Sequence, residues 1–200
     1  MVKFRNEDCE ENYNRNPGWP SGKGSRSEWN GDHPDGENWT TTRCGVERIR
    51  QVAAAPGQSE ILAHLGRVEG RPLISADTST WVSFLGGESG WDVELLDRAL
   101  KDRQVVMVPP VLTELLSDPN LTRDLEEQLC DVPLVQIGEG YWRRAGKSRA
   151  ALLAKGTKAR LGDALIAQCC IDSGVSLVTR DRDFQAFAKV TKLNLATENS

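Results

Sequence analysis

Two hydrophobic patterns alternate along the chain from Leu73 onward. Short apolar runs typical of buried strands occur at LISAD, VVMV, LVQI, VSLVT and LNLA. Between them, apolar positions three and four residues apart predict helices at TSTWVSFL, DVELLDRALKD, VLTELLS, TRDLEEQL, EGYWRRAGKSRAALLAKG, GDALIAQCCIDSG and DRDFQAFAKV. Strands that alternate with helices at this spacing predict right-handed βαβ units. We therefore predict a three-layer α/β/α fold with a central parallel sheet over residues 71–200.

The first part of the chain lacks this patterning. Residues 1–45 are rich in Gly, Pro, Asn, Asp, Ser and Thr and contain almost no aliphatic side chains. Such a segment cannot bury enough apolar surface to offset a backbone ordering cost of about 1–2 kcal/mol per residue. We predict a disordered extension over 1–45 and a short helical or linker segment over 46–70.

Composition restricts the class of protein. A formal net charge of −4 argues against a protein that coats nucleic acid over its whole surface. The five cysteines include no C-x-x-C pair and no zinc-type spacing, which favours a reducing compartment. No apolar run approaches the roughly 18 residues of a membrane span, and the N-terminus lacks the apolar segment of a signal peptide. We expect a cytoplasmic protein without a membrane segment.

Four carboxylates follow or flank the predicted strands. Asp77 ends the first strand, Glu114 lies on the helix after the second, Asp163 begins the GDALIA helix, and Asp181 follows VSLVT. Ligands of open parallel sheets bind outside the carboxyl ends of the strands, so we expect these acids to converge. Any one of them has the simpler interpretation of a helix cap. Their joint placement favours a common site, with Asp183 as a supporting residue or a cap.

Converging carboxylates predict a bound cation. Two of them about 5 Å apart repel by roughly 3 kcal/mol at an effective dielectric near 20. A cluster relieves this repulsion by taking up protons or cations, and oxygen-only ligands suit Mg²⁺ or Mn²⁺. A divalent metal activates water and neutralises charge on phosphoryl oxygens. The residues therefore indicate metal-assisted hydrolysis of phosphodiesters.

The stretches LISADTSTWVSFL, VPPVLTELL, RLGDALIAQCCIDSGVSLVTRDRDF and LNLA resemble PIN domains, and specifically the VapC-like toxins of toxin–antitoxin pairs. The resemblance covers about residues 72–197. It implies that Asp77, Glu114, Asp163 and Asp181 hold the metal, and that Ser79 and Thr179 orient water or a carboxylate. It further implies an endoribonuclease acting on tRNA, rRNA or mRNA, a homodimer, and inhibition by a cognate antitoxin.

The chain departs from this family at its N-terminus. Family members begin a few residues before the first strand, whereas about 70 residues precede it here. Our hypothesis is that much of this extension reflects an overlong choice of start site, or a tail that is dispensable for catalysis.

A run of basic residues precedes Asp163. It comprises Arg143, Arg144, Lys147, Arg149, Lys155, Lys158 and Arg160, with no acid among them. The run predicts salt-sensitive contacts with RNA phosphates, although a solvated helix face is the alternative. Tyr141 and Trp142 are candidates for base stacking, but core packing is the favoured interpretation. Trp81 and Phe84 are assigned to packing or to a dimer face.

Three other functions are compatible with parts of this pattern. A metal-dependent phosphatase or DNA nuclease would use the same crevice. A phospho-receiver module is disfavoured, because LVQIG is not followed by a phosphorylatable Asp. A catalytically silent PIN-like interaction protein would cut no RNA. The nuclease hypothesis predicts that Asp77→Asn or Asp163→Asn abolishes cleavage while the protein stays folded.

Overall fold

The computed structural model describes residue 49, residues 67–68 and residues 71–198. The predictions for residues 1–45 and for most of 46–70 lie outside these ranges. Within the second segment, Ile49 is helical and fully buried, and it belongs to the hydrophobic core. An antiparallel pair that the sequence did not predict, β1 (Arg67–Val68) with β2 (Arg71–Pro72), precedes the main domain.

The elements of the main domain follow the predicted order. It contains two strands of three residues each, β3 (Ile74–Ala76) and β4 (Ser176–Val178). Its helices are α1 (Thr78–Gly86), α2 (Trp91–Lys101), α3 (Pro109–Leu116), α4 (Arg123–Cys130), α5 (Tyr141–Leu153), α6 (Leu161–Ser173) and α7 (Asp183–Val190). The fifth helix is shorter than predicted, because the chain turns after Leu153 and passes through Gly156, whose φ is 70°. In the part of the chain that the structure describes, no helix is long and apolar enough to cross a membrane.

All five predicted strand segments join one parallel sheet. β3 pairs with β4 in the register Ile74↔Ser176. Parallel bridges add the other three segments: Val105 to Ile74, Leu134 to Met107, and Leu195 to Leu177. The third and second segments therefore lie on one side of β3, and the fourth and fifth lie on the other. The strand order reverses between β3 and β4, which is where such sheets bind ligands.

Both faces of the sheet are covered. Successive residues of a strand point to opposite faces, yet Ile74, Ser75 and Ala76 are all buried. Helices therefore pack on both sides, as in parallel sheets generally, and the predicted three-layer fold is confirmed. Trp81 and Phe84 are fully buried with their rings edge to face, which confirms their assignment to packing.

The side chains at the start of α5 divide between core and surface. Tyr141 is buried, and its hydroxyl donates a hydrogen bond of 2.8 Å to the Leu165 carbonyl on α6. The core prediction for Trp142 is wrong, because 67% of this residue is exposed. Successive helix positions point about 100° apart, so a helix that buries Tyr141 turns its neighbour outward.

Candidate active site

Asp77 connects the end of β3 to the start of α1. Its backbone N–H donates to the Val178 carbonyl over 3.1 Å, which continues the pairing of β3 with β4. Its side chain caps α1, with Oδ1 accepting from the Thr80 backbone N–H at 2.8 Å. Oδ2 accepts from the hydroxyls of Ser79 at 3.0 Å and Thr179 at 2.6 Å. The buried carboxylate is thus both a helix cap and a fixed member of the crevice.

Thr179 links Asp77 to Asp181. While its hydroxyl donates to Asp77, the same oxygen accepts from the Asp181 backbone N–H at 2.9 Å. Asp181 in turn accepts the Asp183 backbone N–H on Oδ1 at 2.8 Å, at the start of α7. The carboxyl ends of β3 and β4 are therefore joined by one hydroxyl, which links the Asp77 carboxylate to the backbone of Asp181.

Glu114 lies between the starts of α1 and α6. Its Oε2 accepts a hydrogen bond from the Thr78 hydroxyl, next to Asp77. A Cβ atom added to Gly162 would lie only 2.9 Å from its Oε1. Glycine in the GDAL motif therefore gives Glu114 room to approach the first turn of α6, where the following residue is Asp163.

Asp163 differs from the other three predicted acids in that one of its carboxylate oxygens is buried without a hydrogen bond. It is half-buried, and its Oδ2 is buried without a hydrogen-bond partner. Burial is the main cause that raises its pKa above the ordinary value. Neighbouring charges contribute as well: Asp181, Asp183 and Glu114 raise this pKa, and Arg160 lowers it. These effects place the acids close enough to Asp163 to act on its charge.

The donor set fits a hard divalent cation. An unpartnered, buried carboxylate oxygen beside other acids is the environment that such a cation stabilises. However, among residues 49, 67–68 and 71–198, no three His, Cys, Asp or Glu side chains are already arranged as a metal-binding group. The Glu114 carboxylate instead accepts from Thr78, and both Asp77 oxygens accept hydrogen bonds. The acids converge, but their oxygens are not preassembled.

Two of the predicted RNA-binding residues make contacts within the protein. Arg144 forms an ion pair of 2.8 Å with Asp172, near the end of α6 opposite Asp163, and Arg149 donates to the Ala159 carbonyl at 2.9 Å. The side chains of Arg143, Lys147, Lys158 and Arg160 are exposed. Arg160 comes directly before α6 and acts on the charge of Asp163. RNA contact by any of them stays a prediction.

An ion pair beside the crevice, between a buried acid and a partly exposed arginine, was not predicted from the sequence. Asp92 in the first turn of α2 is fully buried, and its Oδ2 lies 2.9 Å from Nε of Arg180. The guanidinium also donates to the Ser83 hydroxyl at 2.8 Å. Arg180 stands within the VTRD motif, but nothing in the sequence pairs it with a distant helix start. The one local sign was that Asp92 occupies a position of α2 that the amphipathic pattern assigns to the buried face.

Gly90 gives this pair its space, so we expect Gly90→Ala to destabilise the fold. A new Cβ would lie 2.7 Å from Oδ1 of Asp92 and 3.4 Å from Nη1 of Arg180. The buried Asp92 side chain is too short to move aside, so the free energy of unfolding should fall by about 1–3 kcal/mol. Urea denaturation measures this change. Gly146→Ala is the control, because nothing lies within 4 Å of that Cβ and alanine favours the helix. Equal stability of Gly90→Ala and wild type would contradict the steric argument.

Comparison with known proteins agrees with this fold. The family model of the PIN domain matches residues 74–190, and the chain belongs to the PIN domain family. VapC ribonuclease Mb1587 of Mycobacterium bovis and ribonuclease VapC11 of Mycobacterium tuberculosis are each 30% identical to it in an alignment of 132 residues that covers 62% of this chain and 98% of theirs. Within the family the chain is therefore a VapC-like member. A solved structure of VapBC2 from Rickettsia felis bound to a DNA fragment from their promoter is 19% identical, with a TM-score of 0.49 over 62% of this chain and 97% of the other.

Proposed function

We propose that this protein is an endoribonuclease that depends on Mg²⁺ or Mn²⁺ and acts as the toxin of a toxin–antitoxin pair. The observation that carries the proposal is the buried, unpartnered Oδ2 of Asp163 in a crevice with three other acids. The similarity to VapC ribonucleases supports RNA as the substrate. Asp77, Glu114, Asp163 and Asp181 would hold the cation, which when bound polarises the phosphodiester and activates water.

Neighbouring residues position the carboxylates that would hold the cation. Ser79 and Thr179 donate to Oδ2 of Asp77 and so hold its carboxylate in one rotamer. Thr179 also accepts from the Asp181 backbone N–H and so holds that segment next to Asp77. Asp183 supports Asp181 from the first turn of α7. Such supporting contacts typically change metal affinity or activity by about 10–100-fold when removed.

The proposal is tested by incubating the purified full chain with tRNA, rRNA, mRNA, single-stranded DNA and an aryl phosphate, and measuring which of them is cleaved. We expect cleavage of RNA alone, with 5′-phosphate and 3′-hydroxyl ends, in Mg²⁺ or Mn²⁺ but not in EDTA. Asp163→Asn controls for a contaminating nuclease. Cleavage of DNA or of the aryl phosphate instead would favour another phosphodiesterase or a phosphatase. No cleavage, together with an unchanged melting temperature in Mn²⁺, would favour a silent interaction protein.

We expect Arg160→Ala to weaken RNA binding while the fold is retained. Arg160 is exposed and lies three residues before Asp163, so its guanidinium is placed to neutralise a phosphate close to the acids. Loss of one phosphate contact should lower the slope of log Kd against log salt by about 1. Filter binding of Asp163→Asn protein at several salt concentrations measures that slope without cleavage. Lys192→Ala removes an exposed charge outside the basic run, and an equal effect in that control would refute a specific role for Arg160.

Three further elements of the proposal rest on the family resemblance. They are a homodimeric assembly, a cognate antitoxin protein whose tail reaches the acidic crevice, and a cytoplasmic location. Co-expression with the protein encoded by the adjacent gene tests the second. Recovery of a stable complex that cuts no RNA is the expected outcome, and full cleavage by that complex would contradict it.

A further inference from the structure

The buried carboxylate of Asp92 joins its own helix to two other segments of the molecule. Its Oδ2 accepts from the Thr80 hydroxyl of α1 at 3.1 Å and from Nε of Arg180, beyond β4, at 2.9 Å. Asp92 itself belongs to the first turn of α2 and is 0% exposed. A single oxygen therefore bridges helix α1, helix α2 and the segment that follows β4.

Each of the two residues that donate to Asp92 also contacts or adjoins one of the four predicted metal ligands. Thr80 uses its backbone N–H to fix Oδ1 of Asp77 while its hydroxyl contacts Asp92. Arg180 lies between Thr179 and Asp181 in the chain. Asp77 and Asp181 are thus connected twice, by the Thr179 hydroxyl on the inside and by the Asp92–Arg180 pair on the outside.

The guanidinium of Arg180 anchors its segment to the α1–α2 corner. In addition to Asp92, it donates to Ser83 Oγ at 2.8 Å and approaches Glu88 Oε2 at 3.7 Å. Arginine can engage several acceptors in fixed directions, which a lysine ammonium cannot do. Residues 179–181 are consequently held in one orientation relative to the helix that Asp77 caps.

Stability alone is a weak reason for this arrangement. Burial of the Asp92 carboxylate costs free energy because the charge loses its water, and Arg180, whose side chain is 43% exposed, offsets that cost only in part because water screens the attraction. Here the cost is increased, since Oδ1 of Asp92 is buried without a hydrogen-bond partner. Buried polar contacts of this kind are better suited to fixing one arrangement of the elements that they join.

We propose that Asp92 and Arg180 are positioning residues that set the separation of the Asp77 and Asp181 carboxylates and thereby tune the affinity for the divalent cation. This inference rests on the proposed function. Neither residue touches the metal or the RNA in this role. They act through Thr80 on one side of the crevice and through the backbone of residues 179–181 on the other.

The test is Mn²⁺ binding by calorimetry, with melting temperatures recorded for every variant. Asp92→Asn should weaken Mn²⁺ binding by about 10–100-fold, as expected for residues that support ligands. Arg180→Lys should act in the same direction, and it serves if Asp92→Asn does not fold. Asp172→Asn is the matched control: it removes the acid of the Arg144 ion pair, away from the crevice, and should bind Mn²⁺ like wild type.

The double variant Asp92→Asn/Arg180→Gln separates positioning from stability. Because it removes both charges, it should be more stable than Arg180→Gln, which leaves the buried Asp92 without its cation. If the pair positions the ligands, Mn²⁺ binding in the double variant stays about 10–100-fold weaker than wild type although the fold is regained. Affinity within twofold of wild type in Asp92→Asn or in the double variant would overturn the inference.

The same measurements distinguish this inference from the proposed function. Wild type should bind Mn²⁺ and Asp163→Asn should not. If wild type binds Mn²⁺ and Asp92→Asn binds it equally well, the inference alone is wrong. If wild type binds no Mn²⁺, the proposed metal site is wrong and the inference is refuted with it.

Discussion

Replacement of Asp163 by Asn should abolish RNA cleavage and, in metal-free buffer, raise the melting temperature. The carboxylate is half-buried, has one oxygen without a partner, and lies among other acids. The neutral amide removes the repulsion from those acids. Without this ligand the cation is lost or misplaced, and with it several kcal/mol of transition-state stabilisation, which corresponds to a loss of rate on the order of 10³-fold or more.

The sign of the stability change follows from the pKa of Asp163. Because burial and neighbouring acids raise its pKa in the folded state, ionisation opposes folding. Metal-free wild type should therefore lose stability as pH rises from the unfolded pKa of this group through its raised folded value, and Asp163→Asn should lack this loss. Differential scanning calorimetry with EDTA and with Mn²⁺ measures both effects. A lower melting temperature for the variant in EDTA, or an equal gain from Mn²⁺ in both proteins, would contradict the account.

The same substitution at Asp77 should abolish cleavage but destabilise the fold. Asp77 is buried, and each of its oxygens accepts hydrogen bonds: Oδ1 from Thr80, and Oδ2 from Ser79 and Thr179. Asn can retain the cap of α1 through its carbonyl oxygen. Its amide group then faces the two hydroxyls and leaves the Thr179 proton without an acceptor, at a cost of about 1–3 kcal/mol.

Chemical denaturation in EDTA compares the two variants directly. The expected result is a midpoint below wild type for Asp77→Asn and above wild type for Asp163→Asn, with neither protein cutting RNA. The sequence alone predicts only that either variant stays folded. A stabilised Asp77→Asn would show that repulsion among the acids outweighs its three hydrogen bonds.

The parallel sheet and the convergence of the acids could be predicted because local patterns determine them. The apolar runs ending at Asp77 and Thr179 fix where two strands stop, and parallel pairing places those ends at one edge. Glu114 and Asp163 could be placed because each follows a recognisable helix start. Their cation-binding role followed from the crowding of carboxylates at that edge, whereas RNA as the substrate followed from the resemblance to a family.

Other features depend on contacts between distant parts of the chain. The Asp92–Arg180 pair joins an acid in an apolar pattern to a motif residue, and no local signal relates the two. Arg144 belonged to a basic run, but its neighbour in space is Asp172 on the next helix. The hydrophobic pattern also failed for Trp142, because it does not reveal which face of α5 meets α6.

Anomalous scattering from crystals grown with Mn²⁺ shows whether the four acids form one cation site. We expect a Mn²⁺ peak within coordination distance of Asp163 Oδ2, with oxygens of Asp77, Glu114 and Asp181 turned towards the ion. In that state Glu114 should have released the Thr78 hydroxyl. A Mn²⁺ peak confined to another surface, or none at saturating Mn²⁺, would contradict the claim that these acids form one cation site.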